Sequence, residues 1–208
     1  MFKRTFLVIA LGLASTAAFA KPVPYTIDGN HTQVNFTYNH FGFSDITDRF
    51  MQVTGEFNLD TDDLTQSSIN VTIPMDGLST GVPKLDEHLK SPDFFDAAKF
   101  PTASFKSTKV TVRDATHFDV AGDLTIKGVT RPAVFAVSVN HLGENPRRKT
   151  PMAGFDAVAT IKRSEFGVDN MLAVTGDEIQ LRVSMEAGVP KDEPAAPAAP
   201  AAAPADKG

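Results

Sequence analysis

His117-Phe118-Asp119-Val120-Ala121-Gly122-Asp123-Leu124-Thr125-Ile126-Lys127-Gly128-Val129 is the stretch whose reading decides the fold. Phe118, Val120, Gly122, Leu124 and Ile126 alternate with His117, Asp119, Ala121, Asp123 and Thr125. Successive side chains of a strand point to opposite faces, so a period of two gives one apolar and one wet face. Such strands belong to antiparallel sheets; strands of parallel sheets are apolar on both faces. Lys127-Gly128 reads as a tight hairpin turn, with Gly supplying the positive φ that such a turn needs.

Outward from this hairpin the same period recurs. It runs through Val34, Phe36 and Tyr38, and through Met51, Val53, Gly55, Phe57 and Leu59. It returns in Ile69, Val71, Ile73 and Met75, and in Ala133, Phe135, Val137 and Val139. Phe155, Ala157, Ala159 and Ile161, then Ile179, Leu181, Val183 and Met185, complete the set. A further strand spans about Ala103 to Val112, and its change of parity between Phe105 and Val110 predicts a β-bulge. These are eight strands of an all-β domain. Eight can close into an antiparallel barrel or flatten into a sandwich, and periodicity alone does not choose.

One segment departs from the pattern. In VPKLDEHLKSPDFFDAAKFP, residues 82–101, Leu85 and Leu89 fall four apart, as on one helix face. Ser91-Pro92 has the form of an N-cap followed by a first-turn proline and predicts a second short helix through Phe94, Phe95 and Ala98. A helical insertion with two adjacent phenylalanines either lines the mouth of a pocket or merely covers the end of the sheet.

The ends are of a different kind. Lys3 and Arg4, the apolar run Phe6 to Ala14, and Ala18-Phe19-Ala20 have the three zones of a signal peptide cut before Lys21. From 190 to 208 the chain is rich in Pro and Ala, which neither sustain a helix nor bury much surface, and is expected to be a disordered tail. One domain is therefore expected over 22–189, in the periplasm. The formal charge is −5 and becomes −7 once Lys3 and Arg4 are removed. An acidic chain without a basic stripe is a poor nucleic-acid binder. There is no Cys, hence no disulfide, thiolate nucleophile or thiolate metal site.

Catalytic signals are weak. Gly77-Leu78-Ser79-Thr80-Gly81 fits a nucleophile elbow, but that motif works at the end of a parallel strand in an α/β sheet, which this chain lacks. The five histidines include no metal-ligand spacing. By parity His40 falls with the inward set of its strand, and His88 lies on the insertion, so both can approach a pocket mouth. The chain has sixteen Phe, two Tyr and no Trp, with many Phe on inward faces beside Gly or Ala. Large rings beside gaps suit an elongated apolar cavity and also a tightly packed interior.

The order Tyr25-Thr26-Ile27-Asp28, His31-Thr32-Gln33-Val34-Asn35-Phe36, His40, Gly55-Glu56-Phe57, Asp86 to Asp96 with Phe100-Pro101, Gly122 to Thr130, and Arg163-Ser164-Glu165-Phe166-Gly167 resembles YceI-like proteins across residues 25–187. The resemblance implies an eight-stranded antiparallel, lipocalin-like barrel holding a polyisoprenoid, such as an isoprenoid quinone, or a related amphiphilic lipid. It implies no catalysis and no cofactor. The lining expected on this basis is Val34, Phe36, Val53, Phe57, Ile69 and Val71, with Ile73, Phe105, Phe118, Val120, Phe135, Val137, Ile161 and Leu181. Leu85, Leu89, Phe94 and Phe95 would form the lid or mouth, and His40, Arg49 and His88 are the candidates beside a lipid head group. Transient membrane contact is compatible with this reading. The rival functions are a secreted hydrolase using Ser79 and a structural envelope module without ligand.

Overall fold

The computed structural model describes residues 21–190. The expected signal peptide at 1–20 and all but the first residue of the expected 190–208 tail lie outside the described residues. Eleven strands form one sheet in which every paired neighbour is antiparallel. They are β1 (Val23–Ile27), β2 (Gln33–His40), β3 (Ser44–Phe50), β4 (Thr54–Leu59), β5 (Ser68–Pro74) and β6 (Leu78–Ser79), then, after the helix α1 (Pro83–Lys90), β7 (Thr102–Val112), β8 (His117–Ile126), β9 (Val129–Glu144), β10 (Pro151–Lys162) and β11 (Glu178–Gly188).

Eight of these close a barrel in the order β1-β4-β5-β7-β8-β9-β10-β11, with β11 returning to β1 through Thr26 opposite Gly188 and Ile27 opposite Ala187. Closure removes the exposed strand edges that an open sheet would present. β1 covers only the last residues of β11. The earlier part of β11 pairs with β2, which carries β3 and then β6. Thr32, between β1 and β2, ties this junction: its hydroxyl lies 3.3 Å from the Glu186 carbonyl and 3.3 Å from the Glu186 amide, donating to the first and accepting from the second.

Local expectations hold where they rest on local chemistry. Lys127 and Gly128 have φ of 50° and 75°, both positive as a tight hairpin turn requires. The bulge in β7 lies where the register to β8 slips between Ser107 and Lys109. At Gly122 an added Cβ would stand 2.5 Å from the Phe105 ring, so the missing side chain is the space that ring occupies.

Four expectations are corrected. The strand expected from Met51 to Leu59 starts at Thr54, because Gln52 has a φ of 63° and turns the chain between β3 and β4. Gly55, in the expected inward set, lies instead where an added Cβ would run into the backbone of Asn70 and Val71. β3 was not among the eight strands expected, since only Ile46 and Phe50 are apolar on its inner face and buried Asp48 stands between them. Ser91-Pro92 opens no helix: the Ser91 hydroxyl donates to the His88 carbonyl at the end of α1, and residues 92–99 are turns interrupted by Asp96 at a φ of 50°.

Candidate ligand cavity

The barrel interior holds two chambers in line. The outer one, of about 300 Å³, lies under α1, the 92–100 turns and the loop between β10 and β11. The inner one, of about 170 Å³, lies deeper between the strands. Phe36, Phe50, Phe95, Ile126 and Leu181 line both and form the waist between them. There the Phe50 ring centre is 5.3 Å from that of Phe36 and 5.5 Å from that of Phe95, and Phe36 and Phe95 are 6.4 Å apart. Tilted and edge-on contacts of this kind are the favoured aromatic geometries.

The period of two selects the wall. Val34, Val53, Phe57, Ile69, Val71 and Ile73 line the inner chamber, as do Phe105, Phe118, Val120, Phe135 and Val137. Leu85, Leu89, Phe94 and Ile161 line the outer one. The insertion therefore does more than cover the sheet: Phe95 reaches the waist, and Leu89 and Phe94 are buried.

Polar groups gather at the outer chamber. His40 and His88 line it, each ring edge-on to a phenylalanine: His40 to Phe41 at 4.7 Å and His88 to Phe94 at 5.0 Å. Tyr38 lines it as well and donates its hydroxyl to Asp48 at 3.2 Å. Burial pushes the Asp48 carboxyl above the usual carboxylate range, with the nearby charge of Asp86 acting the same way against the Tyr38 hydrogen bond. Burial first, then the Asp48 charge and the hydrogen bond to it, raise the Tyr38 phenol to about 12.

Arg49 is not at the cavity. Phe50 and Asp48 point inward, so Arg49 between them points out, exposed and opposite Asn35 and Ser79. The cation at the cavity is Arg163, which the periodic reading missed because it sits in a 3-10 turn, Arg163–Phe166. Its presence in the RSEFG stretch was the only sequence signal. The Arg163 guanidinium is buried with its donors engaged: Nε on the Gly176 carbonyl at 2.9 Å, Nη1 on Val168 and Asn170 at 2.8 Å each, and Nη2 on the Thr175 carbonyl and hydroxyl at 2.6 and 2.9 Å. Burial lowers its pKa, against the charges of Asp177 and Asp169. Among the described residues no other Lys or Arg lines either chamber.

Ser79 is in β6, opposite Arg49, and no histidine bonds to it among the described residues. The glycines around it serve the backbone: Gly77 packs on Met51, and Gly81 has a φ of 77°. His31 and His117 lie outside the cavity, each bonded through Nδ1 at 2.9 Å to an aspartate three residues earlier, Asp28 and Asp114.

The sequence pattern of the YceI-like domain matches residues 25–187. The chain belongs to the YceI-like family. Among its relatives, a UPF0312 protein of Pseudomonas aeruginosa strain LESB58 is 34% identical over 189 residues, covering 89% of this chain and 98% of that protein. One of Enterobacter sp. strain 638 is 35% identical over 187 residues, covering 88% and 96%. Among solved structures, Burkholderia cenocepacia BcnA superposes with a TM-score of 0.70 at 24% identity, covering 77% of this chain and 98% of that one. The Campylobacter jejuni YceI protein gives 0.68 at 23% identity, covering 89% and 100%. A polyisoprenoid binding domain from Saccharophagus degradans gives 0.59 at 15% identity, covering 80% and 98%. These likenesses are ones of fold, the YceI-like barrel.

Proposed function

We propose that this YceI-like chain is a periplasmic carrier that holds a long-chain polyisoprenoid, or a similar amphiphilic lipid, inside its barrel and carries out no catalysis. The observation that carries this reading is the pair of apolar chambers in line within a closed barrel. An elongated apolar interior with ionisable groups only at its outer end matches a molecule with a long hydrocarbon chain and a small head. The family, and the fold shared with a polyisoprenoid binding domain, support the same class of ligand. Burying a methylene stabilises by about 0.8 kcal/mol, so one five-carbon unit contributes roughly 3–4 kcal/mol before the cost of immobilisation. A few units then support micromolar or tighter binding. The apolar residues lining the two chambers are the proposed lipid contacts, and His40 and His88, with Tyr38, the proposed neighbours of the head.

The polar end favours an uncharged head, such as a quinone, over a diphosphate. A diphosphate calls for cations with free donors. Arg49 points away, and the five N–H groups of Arg163 already serve carbonyl and hydroxyl oxygens. The export signal read at residues 1–20 supports the location, an aqueous compartment where a water-insoluble chain needs a carrier.

Mass spectrometry of an organic extract of the purified protein tests the proposal, together with titration of delipidated protein by a polyprenyl quinone and by a polyprenyl diphosphate of equal length. Long-chain lipid in the extract and tighter binding of the quinone are expected. An extract without such lipid, combined with no uptake of either compound, overturns the carrier reading. Tighter binding of the diphosphate overturns the head-group assignment.

A further inference from the structure

The outer chamber opens where two exposed residues, His88 and Met171, belong to its lining. Beside this opening is the turn joining β2 to β3, whose residues Phe41 and Phe43 are 47% and 92% exposed; Met171 is 42% exposed. The two loops are joined: the Phe41 amide donates to the Val174 carbonyl at 2.8 Å, and the Val174 amide donates to Met171 at 3.0 Å. A single exposed apolar residue needs no explanation, but three on tied loops at the mouth of an apolar cavity do.

Two of the three are also held in an unfavourable conformation. Phe41 and Met171 have φ of 55° and 58°, in the left-handed region where side chains other than Gly, Asn and Asp are uncommon. A glycine or asparagine at either position would relieve the backbone there. The two loops carry instead large apolar side chains that are exposed. Charge indicates what they meet: segments 39–45 and 167–176 contain Asp45 and Asp169 and no Lys or Arg. Lys127 reaches the second segment from the β8–β9 turn, donating to the Gly167 and Pro92 carbonyls at 3.0 and 3.3 Å. The two segments themselves offer no cation to anionic lipid heads, whereas aromatic and thioether side chains enter a neutral interface readily.

We propose that the mouth of the barrel docks on a zwitterionic bilayer surface through Phe41, Phe43 and Met171. This rests on the carrier reading, for it places the cavity opening against the medium in which a polyisoprenoid dissolves. The ligand then passes between bilayer and outer chamber without its chain crossing water.

The test is flotation of the mature chain with phosphatidylcholine and phosphatidylethanolamine vesicles, comparing wild type with F43S and with the double variant F41N/F43S. A parallel arm delivers a polyprenyl quinone from cyclodextrin, with no membrane present. Wild type is expected to float with the vesicles at low and high salt alike. F43S should lower the vesicle partition coefficient roughly tenfold, the loss expected for one phenylalanine leaving an apolar phase. Both variants should take up the quinone from cyclodextrin as wild type does, which also shows that they fold. Equal flotation of wild type and variants, no flotation of any, or binding that requires anionic lipid and disappears in salt overturns the docking surface. Failure of all three to take up quinone from cyclodextrin counts against the carrier reading, whatever the vesicles show.

Discussion

The Phe95 ring stands edge-on to the Phe50 ring at 5.5 Å, where the outer chamber narrows into the inner one. Phe50 ends β3, within the sheet, whereas Phe95 comes from the insertion after α1 and is only half-buried. The depth to which a ligand chain enters therefore depends on a side chain outside the sheet. Replacing Phe95 by Ala should merge the chambers at a stability cost of about 2 kcal/mol, below the value for a fully buried phenylalanine. The lipids recovered with F95A should shift to longer chains by mass spectrometry. An unchanged chain-length distribution would show that the waist does not limit the ligand.

Arg163 holds the loop between β10 and β11 by bonding carbonyls that have no strand partner. Arg163→Met keeps much of the volume and leaves the carbonyls of Val168, Asn170, Thr175 and Gly176 without this donor. A loss of about 3 kcal/mol in urea unfolding is expected, since unsatisfied buried groups bear their desolvation cost in full. Arg163→Lys should recover little, because an ammonium has three donors on a single atom and cannot reach the spread of the guanidinium fork.

Asp48 and Tyr38 give the pH dependence a definite sign. Both are raised in the folded state, so the folded chain holds these protons more tightly than the unfolded chain does. For Asp48 the stability is full below the ordinary carboxylate range and falls as pH rises through the folded value. Asp48→Asn, whose amide oxygen still accepts from Tyr38, should remove that fall and raise the melting temperature at neutral pH. For Tyr38 the loss runs from the ordinary 10.0 to about 12. Tyr38→Phe should flatten the alkaline limb over that window, read as melting temperature against pH. A variant that keeps the wild-type slope would assign it to other groups.

Gly122→Ala should destabilise the barrel by about 1–3 kcal/mol, because the new Cβ meets the Phe105 ring and the Lys106 backbone. Phe105 stacks edge-on with Phe135 at 5.0 Å, so the displacement passes into the wall of the inner chamber. A melting temperature equal to wild type would show that β7 and β8 absorb the extra atom.

Ser79→Ala should leave stability within about 0.5 kcal/mol and ligand uptake as in wild type. The measurement is thermal melting together with quinone titration, and an ester-hydrolysis assay on both proteins. Hydrolysis by wild type that disappears in S79A would restore the nucleophile reading.

The wall of the cavity was legible in the sequence because it follows from a local rule. A strand's side chains alternate whatever it pairs with, so naming Phe118 as inward names Val120 as well. The Lys127-Gly128 turn and the β7 bulge are local in the same sense. The head-group end was less legible. His40 followed from parity, but Arg49 was misjudged because β3 has an acidic residue, Asp48, on its inner face, which hides the alternation that sends Arg49 outward.

Composition and periodicity thus determined an antiparallel β domain, its apolar face and a helical interruption, since each depends on neighbours within a few residues. Closure, the division of the interior and the burial of Arg163 were decided only in three dimensions. Thr32 meets Glu186 across 154 residues of chain, Phe95 meets Phe50 from outside the sheet, and Arg163 is satisfied by carbonyls of a loop with no period. Such contacts depend on where the closed barrel brings distant segments together, and no local pattern records that.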